Sequence, residues 1–204
     1  MSDQDLPKSL DEIRAKFPYQ FEGESIGMSV PKGWAPGFAR LCADIDAALG
    51  ENKHGFHWIQ LKEKFGSARF YYAFGRRRAS VHLDIVAGDG VRTFVAPQAQ
   101  KPGEDEFNRV SQAVDKLVSD ATAKTRHACL VCGAHGDGHL SEGYLMVLCP
   151  AHQATRESKD GWPEDLWDML EEDRIKVKDM YAKVEAMRRQ PEESKKNGVD
   201  GGDQ

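Results

Sequence analysis

The spacing of three cysteines and one histidine constrains this chain more than any other feature. Cys129 and Cys132 form a Cys-x-x-Cys pair, and Cys149 and His152 form a Cys-x-x-His pair. Each short pair places two ligands on one side of a metal ion, and the segment between the pairs closes a tetrahedron. The pattern therefore predicts a zinc site made of these four residues. The ordinary alternative is a set of buried thiols, but it does not account for the histidine at the fourth position.

The residues around these ligands predict a treble-clef-like zinc module over residues 127–158. Gly133 permits a tight turn after the first pair, and Cys149 and His152 share one face of a helix because they are three residues apart. With four protein ligands no position is left for water, which indicates a structural ion rather than a catalytic one. His135 and His139 are alternatives to His152 as the fourth ligand.

The composition is that of a protein with a core of its own. Its 204 residues are 40% hydrophobic and 30% charged, which suits one main domain with an appendage. The formal net charge of -5 argues against a broad nucleic-acid-binding surface. The sequence shows no signal peptide and no apolar run of transmembrane length, so we expect a cytoplasmic protein without a membrane partner. Thiols stay reduced in that compartment and bind metal more often than they form disulfides.

Hydrophobic periodicity predicts an α+β core domain over residues 1–126. Residues 56–95 alternate as strands with turns at Gly66 and at residues 88–90, which predicts a four-stranded antiparallel meander. Residues 104–126 repeat apolar side chains at steps of three and four, typical of a helix that covers a sheet. Cys42 lies on an apolar helical stripe and is predicted to pack in the core.

Residues 162–190 predict a long, charged C-terminal helix. Its first half is acidic and its second half basic, an order that complements the helix dipole. A thin apolar stripe along it is a candidate oligomer seam or docking face, unless it only packs on the domain. The composition of residues 191–204 predicts a disordered tail.

A basic hairpin region is the candidate partner surface. Its aromatic neighbours Tyr71, Tyr72 and Phe74 are interleaved with basic residues, which would meet phosphates while exposed rings stack on bases. The alternative is that the rings belong to the core and the arginines to a solvated loop. The basic residues are Lys62, Lys64, Arg69, Arg76, Arg77 and Arg78.

Catalytic patterns are weak in this sequence. Zinc modules of this type also occur in His-Asn-His nucleases, and His139 is the residue that would activate water in such a site. No asparagine or second histidine stands in a matching place, and a polar Gly-rich turn explains the same residues. Whether the chain is an enzyme stays open, with a non-enzymatic protein favoured.

The ordered motifs resemble a group of small, uncharacterised proteins of phages and bacterial mobile elements. The segment 59–72 contains Lys-Glu-Lys-Phe-Gly, is preceded by Gly33-Trp34 and is followed by the two ligand pairs. The resemblance covers residues 30–152 and departs in the second hairpin and after His152. It implies a zinc-bearing, phage-type protein and no particular activity.

These observations together predict a non-enzymatic, zinc-stabilised binding protein that modulates or inhibits a host macromolecule. A protein partner is favoured. Nucleic acid bound through the basic hairpin is the alternative, a nuclease is the third candidate, and oligomerisation through residues 162–190 is a further prediction.

Overall fold

The computed structural model describes most of the chain, in seven stretches: residues 6–51, 53–75, 82–87, 90–95, 105–141, 143–158 and 166–189. The helices within them are α1 (Leu10–Lys16), α2 (Ala35–Leu49), α3 (Asp105–Thr125), α4 (Pro150–Ser158) and α5 (Glu171–Arg189). The strands are β1 (Gly27–Pro31), β2 (Phe56–Lys64), β3 (Ser67–Phe74), β4 (His82–Ala87), β5 (Gly90–Val95), β6 (Asp137–Ser141), β7 (Tyr144–Leu148) and β8 (Trp167–Met169). The chain divides into two compact units, Met1–Leu170 and Glu171–Gln204, the second containing α5.

The fold is α+β, and its largest sheet is mixed. The strand order is β3-β2-β1-β8, with β2 antiparallel to β3, β1 parallel to β2, and β8 antiparallel to β1. Strands β4 and β5 form a separate hairpin. The predicted antiparallel meander over residues 56–95 is therefore wrong, although both of its hairpins form. Strand β1 takes the place beside β2 because Met28 and Val30 alternate into the core.

The C-terminal helix begins later than predicted. Residues 167–169 form a strand, and Leu166, Asp168 and Leu170 are buried in the period of two that a strand requires. The Asp168 carboxylate accepts a 2.6 Å hydrogen bond from the backbone N–H of Leu10, at the start of α1. The segment thus forms an edge strand of the mixed sheet and also supplies a hydrogen-bond acceptor to the first turn of α1. The predicted tail, residues 191–204, lies outside the described residues.

The core between the mixed sheet and α2 is aromatic. The ring of Phe38 lies 5.2 Å, between centroids, from the rings of both Trp58 and Phe70. The Trp58 indole donates a 3.2 Å hydrogen bond to the Gln20 side chain, which donates 2.9 Å to the carbonyl of Cys42. The buried polar atoms of Trp58 and Gln20 therefore have partners. Cys42 is fully buried, in agreement with its predicted core position.

Helix α3 packs its apolar face on this core, as its periodicity predicts. Val114 is fully buried, and Val110 and Leu117 pack against the core cluster. The Tyr72 hydroxyl, at the edge of the core, donates a hydrogen bond to the Asp115 carboxylate. These contacts hold α3 on the sheet, so the segment that follows it starts from a fixed position.

Candidate metal centre

The four predicted ligands come together in one cluster that can hold a metal ion. Their ligand atoms all lie within 4.8 Å of one another. The Nδ1 atom of His152 is 3.5 Å from the Sγ atom of Cys129 and 3.2 Å from that of Cys149. The Sγ atoms of Cys132 and Cys149 are 3.8 Å apart. Cys129 and Cys149 are buried, whereas Cys132 is exposed.

A tight backbone turn carries the first ligand pair. The N–H of Gly133 donates a 2.8 Å hydrogen bond to the carbonyl of Cys129, whose own N–H donates 2.7 Å to the carbonyl of Ala134. Gly133 has a φ of 75°, a conformation that favours glycine. This segment, residues 129–133, is called the knuckle below. Its geometry confirms the turn that the sequence predicts at Gly133.

The knuckle is attached directly to the core domain. The N–H of Gly33 donates a 2.8 Å hydrogen bond to the carbonyl of Leu130, and the Trp34 indole donates 2.9 Å to the carbonyl of Ala128. A Cβ atom at Gly33 would stand 2.5 Å from the Gly133 nitrogen and 2.8 Å from that of Cys132. The two backbones thus meet at a distance that only glycine allows, and this explains the Gly33-Trp34 motif.

The tip of the β2–β3 hairpin supports the strand that leads to the second ligand pair. A Cβ atom at Gly66 would lie 3.2 Å from a methyl group of Val147 in β7. The Glu63 carboxylate accepts a 2.6 Å hydrogen bond from the N–H of Gly66 and holds the turn. The N–H of Leu130 in turn donates 2.9 Å to the carbonyl of Val147. The Lys-Glu-Lys-Phe-Gly motif is therefore part of the support for the metal cluster.

Cys149 lies immediately before α4, and this position prepares it as a ligand. The backbone N–H of His152, which donates toward the Cys149 sulfur, is the main cause that lowers the pKa of this thiol to about 7, against an opposing effect of burial. Helix N-termini stabilise thiolates in this way, and the thiolate is the form that binds metal. His152 follows in the first turn of α4, on the side of the helix where Cys149 lies.

The other histidines considered as ligands lie outside the cluster. Among the described residues, the group that could hold a metal ion contains His152 and neither His135 nor His139. The ring of His135 stacks on that of His127, with 5.8 Å between centroids. His139 lies on β6, opposite Met146 of β7. The structure thus places His152 at the fourth position.

The predicted basic surface is described in part. Lys62 and Arg69 are directly opposite each other in the β2–β3 register, and Lys64 lies two residues beyond Lys62 on the same face. The Lys62 ammonium stands 5.3 Å above the ring of Tyr71, whereas Tyr72 is buried in the core. We call Lys62, Lys64, Arg69 and Tyr71 the basic face. Arg76, Arg77 and Arg78 lie outside the described residues.

An exposed apolar patch beside the basic face was not predicted. Phe65, at the hairpin tip, is 69% exposed, and Leu140 and Leu145, opposite each other in β6–β7, are 70% and 40% exposed. The backbone of Leu145 lies against Gly66, so the two hairpin tips are adjacent. Phe65 adopts a φ of 55°, which is unusual for a bulky residue. The apolar patch is defined as Phe65, Leu140 and Leu145.

Comparison with known proteins does not assign a family. No family model, no curated protein and no solved structure matches the chain. Among the described residues, no helix has both the length and the hydropathy needed to cross a membrane. The resemblance to phage and mobile-element proteins stays a prediction from the quoted motifs.

Proposed function

We propose that the chain is a non-enzymatic binding protein in which a structural zinc ion fixes a treble-clef-like module. Around a tetrahedral zinc ion with the usual Zn–S and Zn–N bond lengths, two sulfur ligands lie about 3.8 Å apart, and a sulfur and a nitrogen ligand lie about 3.5 Å apart. The separations between the Sγ atoms of Cys132 and Cys149, and between Cys129 Sγ and His152 Nδ1, are 3.8 Å and 3.5 Å, whereas Cys149 Sγ lies closer to His152 Nδ1, at 3.2 Å. The convergence of all four ligand atoms within 4.8 Å of one another is the observation that carries the proposal. Three thiolates and an imidazole are also donors that suit zinc.

A structural role follows from the completeness of the ligand set. Catalytic zinc sites keep one position for water or substrate, whereas here the protein supplies all four ligands. The order of the surrounding elements is knuckle, β6–β7 hairpin and α4, which supports the treble-clef-like description. The ion would fix Cys129 and Cys132, after α3, to Cys149 and His152, at α4.

The binding role is supported by the apolar patch beside the basic face. Exposed apolar groups that are contiguous and flanked by charge mark interaction sites. A protein partner with an acidic rim and an apolar pocket matches both features, with Phe65 as the anchor. The motif resemblance supports a host macromolecule as the target, on which the protein acts as a modulator or inhibitor.

The zinc site is tested by metal analysis of the purified chain and of two cysteine variants. We expect about one zinc per chain, and visible absorption bands of tetrahedral cobalt-thiolate coordination after replacement by Co²⁺. Cys132→Ser should lose the metal and the cobalt bands, whereas Cys42→Ala, a core thiol, should keep both. A zinc-free protein whose melting curve is unchanged in Cys132→Ser would contradict the proposal.

The partner surface is tested by affinity capture followed by binding of the purified pair. A captured acidic protein should bind the purified chain at least about tenfold more weakly when Leu145→Ser or Lys64→Glu is introduced. Ile26→Ser, at a residue that is 76% exposed outside the patch, is the matched control. Tight, salt-sensitive binding to a single-stranded oligonucleotide that both variants weaken would instead support the nucleic-acid alternative.

A further inference from the structure

The three cysteines of the metal centre differ in their access to solvent. Cys129 and Cys149 are buried, at 0% and 8% exposure, whereas Cys132 is exposed. Cys132 also lines a cleft of about 400 Å³ between α2 and α3, so a small solute can approach it. Cys42 is fully buried in the core. All four cysteines lie within the described residues, and Cys132 is the one among them that is open to a reagent in solution.

Cys132 also has a neighbouring sulfur with which it can form a bond. Its Sγ atom lies 3.8 Å from that of Cys149, whereas a disulfide needs a separation of about 2.05 Å. Side-chain rotation that brings the two sulfurs about 2 Å closer would therefore join them. An accessible thiolate beside a second cysteine is the arrangement in which oxidation proceeds to a disulfide.

We propose that Cys132 is an oxidation site at which a hydroperoxide converts Cys132 and Cys149 into a disulfide and thereby releases the zinc ion. The inference rests on the proposed zinc site, because a thiol that coordinates zinc is deprotonated and is therefore in its nucleophilic form. After oxidation Cys129 and His152 are the remaining ligands, and two ligands do not complete a structural site.

The oxidation consumes one hydroperoxide for each disulfide. The Cys132 thiolate attacks a peroxide oxygen: an S–O bond forms, the O–O bond breaks, hydroxide leaves, and the sulfur loses two electrons to become a sulfenic acid. The Cys149 thiolate then attacks this sulfur, so that the S–S bond forms, the S–O bond breaks and a second hydroxide leaves. Two protons from solvent convert both hydroxides to water.

Release of the zinc ion affects the segment that carries most of the apolar patch. Leu140 and Leu145 lie on β6–β7, between the two ligand pairs. Because metal binding in such modules is coupled to folding, oxidation unfolds residues 127–158 and disrupts the patch. The site thus places partner binding under the control of an oxidant.

The experiment uses the full chain, whose zinc content is measured before hydrogen peroxide is added. A chromophoric chelator, at a concentration that removes no metal by itself, reports the release of zinc, and thiol titration counts the cysteines that react. We expect release of about one zinc and loss of about two of the four thiols per chain. A thiol reductant with added Zn²⁺ should restore the metal content and the amide protection of residues 127–158.

Peptide mapping identifies the bonded cysteines. Trypsin leaves residues 127–156 as one peptide that contains all three cysteines of the metal centre, and further cleavage after Glu142 separates Cys149 from the other two. We expect a disulfide that joins residues 127–142 to residues 143–156. Fragmentation between Cys129 and Cys132 should place this bond at Cys132.

Two variants separate the oxidation site from the other thiols. Cys132→His keeps four ligands, in a Cys₂His₂ combination that zinc accepts, but removes the exposed sulfur. In its zinc-loaded form it should release zinc at least about tenfold more slowly in peroxide. Cys42→Ala removes a buried core thiol and should release zinc at the rate of the unmodified chain. If Cys132→His does not bind zinc, the peptide map of the unmodified chain still decides.

Three results would overturn the proposal. The first is a zinc-loaded chain that keeps its metal and its thiols in peroxide that oxidises free cysteine, an outcome that leaves the zinc site intact. The second is a disulfide between Cys129 and Cys132, or a first reaction at Cys42. The third is an unchanged rate of zinc release from zinc-loaded Cys132→His. A chain without zinc before the addition of peroxide would overturn the proposed function and this inference together.

Discussion

The aromatic core and the metal centre belong to the same compact unit but are stabilised in different ways. Phe38 and Trp58 are about 1% exposed within a large buried cluster, and each such side chain contributes about 1.5 to 3 kcal/mol. The buried cluster at the metal centre consists of Cys129, Leu148 and Cys149. Two of these three residues are proposed ligands. We therefore expect the core to be stable by itself and the module at the metal centre to depend on the proposed ion.

Removing the metal should produce the largest difference in stability between the two regions. Structural zinc contributes about 10 to 16 kcal/mol of binding free energy in small modules. Chelation should therefore abolish amide protection in residues 127–158, while amides of β2 and β3 remain protected in hydrogen exchange. Loss of protection in both regions at the same chelator concentration would show that they unfold as one unit.

Truncating a buried side chain of the aromatic core should have the opposite effect: the core should lose stability while the metal centre keeps its ion. Trp58→Ala removes a fully buried ring and its hydrogen bond to Gln20, so the free energy of unfolding should fall by about 3 to 5 kcal/mol. Urea denaturation measures this change, and the metal content of the folded fraction should not alter. Trp167→Ala, at a 38% exposed tryptophan, is the control and should cost less. If the two variants lost equal free energy of unfolding, burial of the tryptophan ring would not determine the cost of its removal.

The contact that joins the regions can be tested with two glycines. Gly33→Ala forces a methyl group into the knuckle backbone, and overpacking of this kind costs about 1 to 3 kcal/mol. Gly37→Ala, four residues later in open space, should stabilise α2 by about 0.5 to 1 kcal/mol. Thermal unfolding of both variants measures the two changes. Similar effects at both positions would contradict the close approach of Gly33 to the knuckle.

The metal cluster could be predicted from the sequence because its information is local. Each ligand pair spans four residues, and few chemistries explain three cysteines and a histidine at that spacing. The capacity of Gly66 for positive φ could also be predicted, since its neighbours form a hairpin. The unusual conformation of Phe65 beside it could not, because propensity favours asparagine there.

The order of the mixed sheet could not be predicted because the information is distributed along the chain. Strand β1 pairs with β8 across more than a hundred residues, and β8 is three residues long. A strand of this length is too short to show a clear alternation of apolar and polar residues. The acidic residues nearby are typical of a helix start and therefore dominate the prediction. Asp168 belongs to that acidic group, yet it accepts a hydrogen bond from Leu10 at the start of α1. Only tertiary structure distinguishes these two roles.

The smallest effect concerns the tip of the β2–β3 hairpin, where stability and binding should change in opposite directions. Phe65→Asn puts asparagine at a positive-φ turn position before Gly66, which should raise the free energy of unfolding by about 1 kcal/mol. The same change removes the proposed anchor ring and should weaken partner binding. Tyr144→Asn, at a residue that is 73% exposed at the neighbouring tip, has no such strain to relieve and should not stabilise. If Phe65→Asn instead lowers stability in urea denaturation, the ring supports the hairpin by packing, and its exposure would not identify a partner surface.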